Sequence, residues 1–190
     1  MPPDFDLPLA YSYTQSPASV KLSLERRKTE ISVTGYHVAT VTDAGLKVSH
    51  QLKYFIEYAA VDKLRFSIPK ALDERIHIPT FAALKEKKRV EEKDGRSIWE
   101  LTLQDKVIGP LAVLIEHEED LKGLEPEKPQ DVPIADVRAE DVKSQQGYVV
   151  VRKEGALEIA PQAENLEPIE AASLPAELRQ SNLYLSFRYY

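Results

Sequence analysis

The chain has 190 residues, of which 43% are hydrophobic and 29% charged, with a formal net charge of −6. That length fits one domain or two small ones and buries a core without help from disulfides or metals. The acidic balance disfavours a nucleic-acid partner, which calls for a clustered basic face, and the absence of cysteine removes disulfides, thiolate nucleophiles and cysteine zinc sites together.

Taken in chain order, the dominant hydrophobic period is two. Leu7-Pro8-Leu9-Ala10-Tyr11-Ser12-Tyr13 reads as an opening strand. Val20, Leu22 and Leu24 alternate with Lys21 and Ser23. A strand near residues 35–42 is followed by the turn Asp43-Ala44-Gly45 and a long run over 46–59. There Val48, Leu52, Tyr54, Ile56 and Tyr58 share one face with His50. Leu64, Phe66 and Ile68 form a further strand that Pro69 stops.

Thr80 to Lys85 offers one or two helical turns. Lys85-Glu86-Lys87-Lys88-Arg89 is the one basic cluster, but Glu91, Glu92 and Asp94 follow at once. A mixed run of this kind is a solvated face rather than a phosphate track. Asp94-Gly95 suits a tight hairpin between residues 90–93 and 98–104. Trp99, Leu101 and Leu103 oppose Glu100, Thr102 and Gln104, and Trp99 belongs to the core. Gly109-Pro110 then separates that strand from Leu111-Ala112-Val113-Leu114-Ile115, which is apolar on both faces and sits centrally in a sheet.

Residues 120–144 are acidic and rich in proline, and read as an extended loop or linker. Gly147-Tyr148-Val149-Val150-Val151-Arg152 is a strand, and Glu154-Gly155 turns it into a hairpin with Ala156-Leu157-Glu158-Ile159. Ser173-Leu174-Pro175 starts a short helix. Leu183-Tyr184-Leu185-Ser186-Phe187-Arg188-Tyr189 closes the chain. The fold expected is all-β, an antiparallel β-sandwich with few short helices. Residues 1–119 form its main body and 120–144 a linker. Residues 145–190 form a small C-terminal β segment that completes the sandwich or begins a next repeat.

The closing strand matches the opening one at three of seven positions. Either the chain is one unit of a tandem array, or two amphipathic strands of one sandwich share an ordinary alternation. In the first case the closing strand should pack poorly, leave an exposed edge, or borrow a partner from a neighbour.

Chemistry-bearing patterns are sparse. His37, His50, His77 and His117 show no short metal-ligand spacing. His37 and His50 would meet across a hairpin centred on residues 43–45, which supplies two ligands but not a site. Glu116, His117, Glu118, Glu119 and Asp120 are the densest potential ligand group, with Glu116 and Glu118 on one face and His117 and Glu119 on the other. They would suit a hard cation such as calcium, or simply a strand running out into solvent with charges blunting its end. No nucleophile elbow or glycine-rich phosphate loop occurs, and no cofactor is implied. Nine tyrosines fall largely in strands, where they are either core-edge packing or a platform for sugar rings or a protein partner.

The stretch Tyr54-Phe55-Ile56-Glu57-Tyr58-Ala59 with Leu64-Arg65-Phe66-Ser67-Ile68-Pro69, together with Trp99-Glu100-Leu101-Thr102-Leu103, Gly109-Pro110 and Leu111 to Glu116, resembles the repeated β-sandwich units of large uncharacterised bacterial envelope proteins. That resemblance implies a scaffold or interaction role and transfers no functional residue. A weaker likeness is to the N-terminal sandwich of zinc aminopeptidases, whose zinc helix has no counterpart here. The reading is a non-catalytic structural or interaction module of a larger, extracytoplasmic protein, with neighbouring domains of the same polypeptide as partners. The alternative is a carbohydrate-binding module accessory to an enzyme. No apolar run approaches the roughly 20 residues that span a bilayer, and Met1-Pro2-Pro3 does not open a secretory signal.

Overall fold

A computed structural model describes residues 19–121 and 129–190, together with Ser12 and Thr14. Apart from Ser12, the predicted opening strand 7–13 lies outside the described residues. The strands are β1 (Glu30–Val41), β2 (Gly45–Pro69), β3 (Leu84–Lys93), β4 (Arg96–Asp120), β5 (Arg138–Glu140), β6 (Ser144–Lys153), β7 (Glu167–Pro168) and β8 (Leu183–Tyr189). They form one mixed sheet in the order β3-β4-β2-β1-β6-β8-β7, with β5 against the far half of β2. The only helical elements among the described residues are three-residue 3-10 turns at Lys70–Leu72, Ala171–Ser173 and Ala176–Leu178. The protein is all-β, as its period-two sequence demands. No helix among the described residues is long and apolar enough to cross a membrane.

β2 and β4 are each 25 residues long and run through signals that predict breaks. Between the pairs Ile56↔Gly109 and Val61↔Val107, four residues of β2 face one of β4. Between Val61↔Val107 and Lys63↔Thr102, one faces four. The two irregularities cancel, so the register is the same on both sides of the corner. Tyr58 (φ 66) and Gly109 (φ 90) supply the left-handed backbone there. The bend is sharp. Tyr54 Oη donates to the Arg65 carbonyl at 3.3 Å, although 11 residues of straight strand would cover roughly 35 Å. Leu52, Tyr54 and Ile56 thereby share one core with Leu64, Phe66, Ile68 and Leu101. One sheet folded over itself does the work of the two sheets of a sandwich.

Several local expectations are corrected. Val20, Leu22 and Leu24 pair with no strand among the described residues and stand 70%, 75% and 90% exposed; alternation defines a face but supplies no partner. Residues 80–83 form a turn rather than helix. The strand at 147–152 makes no hairpin with 156–159. As β6 it lies parallel to β1, through Val33↔Gln145 to Val41↔Lys153, and antiparallel to β8. Residues 129–144 are no free linker. Their apolar side chains Val132 and Ile134 pack over Ala39, Leu46 and Val48, Val137 is buried in the main core, and β5 pairs with Arg65–Ser67 of β2. The Asp94-Gly95 hairpin forms as read, with φ 52 and φ 73 suiting a type I′ turn.

β8 belongs to this chain's own sheet. It pairs with β6 from Gly147↔Tyr189 to Arg152↔Leu183, while β7 covers its outer side at Phe187 and Arg188. Phe187 is buried. The poor packing expected of a strand that opens a next unit is not found.

Candidate functional site

The inner face of the β6-β1-β2-β4 half carries a row of buried polar side chains. His37 on β1 and His50 on β2 are register partners, as their placement about the 43–45 turn predicts, and their Nδ1 atoms lie 2.8 Å apart. His117 on β4 sits opposite Val48, one step diagonal from His50, and its ring stacks on that of His50 at 5.3 Å between centroids. On the other side, His37 Nε2 lies 2.8 Å from Tyr189 Oη. His37, His50 and His117 are 5%, 0% and 3% exposed.

The row has a direction. Gln145 Oε1 accepts from the Ala139 backbone N–H at 2.6 Å, which fixes the amide and leaves Nε2 to donate. It donates to the Val137 carbonyl at 3.2 Å and to Tyr189 Oη at 3.1 Å. With its oxygen already accepting, the Tyr189 hydroxyl spends its own proton on His37 Nε2. His37 therefore carries its proton on Nδ1 and donates it to His50 Nδ1. His50 must then hold its proton on Nε2, the buried atom that has no partner among the described residues. His50 Nε2 goes unpartnered in either sense, but the opposite one also strands the Tyr189 O–H, whose oxygen faces two donors, Gln145 Nε2 and His37 Nε2.

Two glycines make the space. Gly35 and Gly147 are register partners across the parallel β1–β6 ladder. A Cβ on Gly35 would lie 2.3 Å from Tyr189 Oη and 2.6 Å from His37 Nε2, and one on Gly147 would lie 2.1 Å from the Gly35 carbonyl oxygen. The hydroxyl fills the room that two missing side chains leave.

Burial holds all three imidazoles neutral. His37 is pushed down to about 4, chiefly by desolvation, against a small upward pull from Asp136. His50 is lowered by desolvation and then by His37 and His117. His117 is lowered by desolvation, with Glu119 pulling up and Arg75 pushing down. Burial likewise raises the Tyr189 phenol.

The predicted acidic group does not converge. Its alternation holds, with His117 facing inward and Glu116 and Glu118 outward, but each member is engaged separately. Glu116 exchanges backbone hydrogen bonds with His77, Glu118 pairs with Lys47 at 3.1 Å, and Glu119 reaches Arg75 at 3.8 Å. Asp120 is the last residue of β4 and is exposed. Among the described residues no group of three or more His, Asp or Glu side chains is placed to hold a metal ion.

A surface cleft of about 720 Å³ lies on the other half of the sheet among Arg65, Arg96, Arg138 and Glu140. Its guanidiniums are tied to the protein's own carboxylates. Arg65 meets Glu100 at 2.8 Å, and Arg96 and Arg138 both reach Asp136. Sequence reasoning found the His37–His50 pair but missed Tyr189, Gln145 and the two glycines. The available signals were a histidine on an otherwise apolar face and a glycine inside a strand. No protein-family model matches the chain, and no curated protein matches it.

Proposed function

We propose that this chain is a non-catalytic structural or interaction module of a larger, extracytoplasmic protein, working beside neighbouring domains of the same polypeptide. The observation that supports the reading is the sealed histidine row. A side chain that acts on a substrate must be reached by it, whereas His37, His50 and His117 are spent on joining four strands. Diethyl pyrocarbonate tests this directly. In the folded protein, exposed His77 should react while the other three stay protected until denaturant is added. Rapid modification of His37 or His50 in the native state would overturn it.

A carbohydrate-binding role is the second reading, favoured by Tyr184 and Tyr190, which stand 44% and 76% exposed. Against it, Lys153 already covers the Tyr184 ring at 4.9 Å and Arg188 the Tyr190 ring at 4.8 Å, which leaves one face of each for a sugar. A glycan array without binding at high protein concentration removes this reading.

A further inference from the structure

Among the described residues β3 is the terminal strand on its side of the sheet, and every residue of it after Leu84 is exposed. Such an edge presents unpaired backbone N–H and C=O groups to any strand that fits. Its charges follow a rule. Outward from the peptide bond between Arg89 and Val90, Lys88 mirrors Glu91, Lys87 mirrors Glu92, Glu86 mirrors Lys93, and Lys85 mirrors Asp94. Every mirrored pair is of opposite sign. Two copies of β3 laid antiparallel about a two-fold axis at that bond would match the three pairs that lie in the ladder, each twice over by symmetry; Lys85 is an extra residue at the start of the strand and Asp94 lies in the turn beyond it.

A regular strand forbids this register. Mirrored positions are an odd number of residues apart, so their side chains would point to opposite faces, whereas an antiparallel ladder pairs side chains of one face. The bulge removes the conflict. The β3–β4 ladder slips between Arg89 and Glu91 and leaves Val90 as the extra residue. As a result Lys88 and Glu91 share the outer face, opposite Glu100 and Ile98, with Glu86 and Lys93 opposite Thr102 and Arg96. Lys87 and Glu92 share the core face, opposite Leu101 and Ser97. Of the two irregularities in this ladder, at Lys85 and at Val90, the second falls at the one place that lets the three inner charge pairs meet themselves.

We infer that β3 is a self-docking edge through which a second copy of this chain joins its sheet to the first, antiparallel and about a two-fold axis. An acidic peptide would match only residues 85–89 and be repelled by Glu91 and Glu92, while a second copy matches both halves. This goes beyond the module reading, which rests on the histidines and would survive a monomeric result.

Sedimentation equilibrium over a concentration series, at low and high salt, tests it. The protein is expected to form a dimer that weakens as salt rises. Lys87, Arg89 and Glu92 already contact Ile78, Asp73 and Lys70 within the chain, so Lys88 and Glu91 are the pair to vary. K88E alone and E91K alone each set like charges together twice and should weaken the dimer by roughly tenfold or more. An equimolar mixture of the two should recover it, as should the K88E/E91K double variant, with circular dichroism verifying the fold of each. A protein that stays monomeric overturns the inference, and so does a dimer that neither single variant weakens. Single variants that weaken it without recovery in the mixture or the double also overturn it.

Discussion

The Nδ1 atoms of His37 and His50 lie 2.8 Å apart in the interior of the sheet, so one imidazole must hold the proton that the other accepts. Both rings cannot be protonated there without repulsion between two desolvated charges. The neutral pair joins β1 to β2 by a side-chain hydrogen bond on top of the backbone ladder, and Tyr189 extends the tie to β8. A structure that buries three titratable rings this way gains from them only while they stay neutral.

Replacing Tyr189 by Phe keeps the ring and removes the hydroxyl. Gln145 Nε2 then loses an acceptor and His37 Nε2 its donor. Denaturant unfolding should show a loss of about 1–3 kcal/mol. An unchanged midpoint would mean that the hydroxyl contributes nothing to the row.

Gly35→Ala tests the space instead of the bond. The added Cβ meets Tyr189 Oη and His37 Nε2, so the strands must shift or the hydroxyl must leave. A loss of about 1–3 kcal/mol is expected. In a Tyr189→Phe background the penalty should shrink, because the colliding oxygen is gone. A double-mutant cycle checks this, and strict additivity would contradict it.

Acid should destabilise the fold early. His37, His50 and His117 all have folded pKa values below the unfolded value of about 6.5, so the unfolded chain binds more protons as pH falls. Their stabilisation is complete above about pH 6.5 and lost below it, down to about 4 for His37. Each contributes a slope of at most about 1.4 kcal/mol per pH unit, approached where the unfolded ring is protonated and the folded one still neutral. Urea midpoints at pH 7.5, 6.5 and 5.5 measure the effect. Equal stability at 7.5 and 5.5 would refute it.

The corner of the long hairpin is a backbone device. Gly109 has φ 90 with open space where a Cβ would stand, so Gly109→Ala carries conformational strain without a clash. About 1–2 kcal/mol should be lost in a thermal or urea melt. No loss would show that the corner does not depend on glycine.

The strands were legible because period two survives whatever a strand packs against. The His37–His50 contact was legible because a hairpin turn fixes register locally. Gly109-Pro110 looked like a break between strands because the bend it makes is shared with Tyr58 on the paired strand, which carries no turn signal. Tyr189 was unreadable as a partner of His37. It sits at the far end of the chain, and only the parallel β1–β6 pairing brings it near. Val20, Leu22 and Leu24 taught the opposite lesson, since a faultless alternation there meets no strand among the described residues.

The most direct test of the central claim is the tautomeric state of the histidines, read from ¹⁵N–¹H correlations of the imidazole rings across pH. His37 should be neutral with its proton on Nδ1 and His50 neutral with its proton on Nε2, both unchanged as pH falls through 6.5 to about 5. A His37 or His50 that titrates near 6.5, or that carries its proton on the other nitrogen, would contradict it.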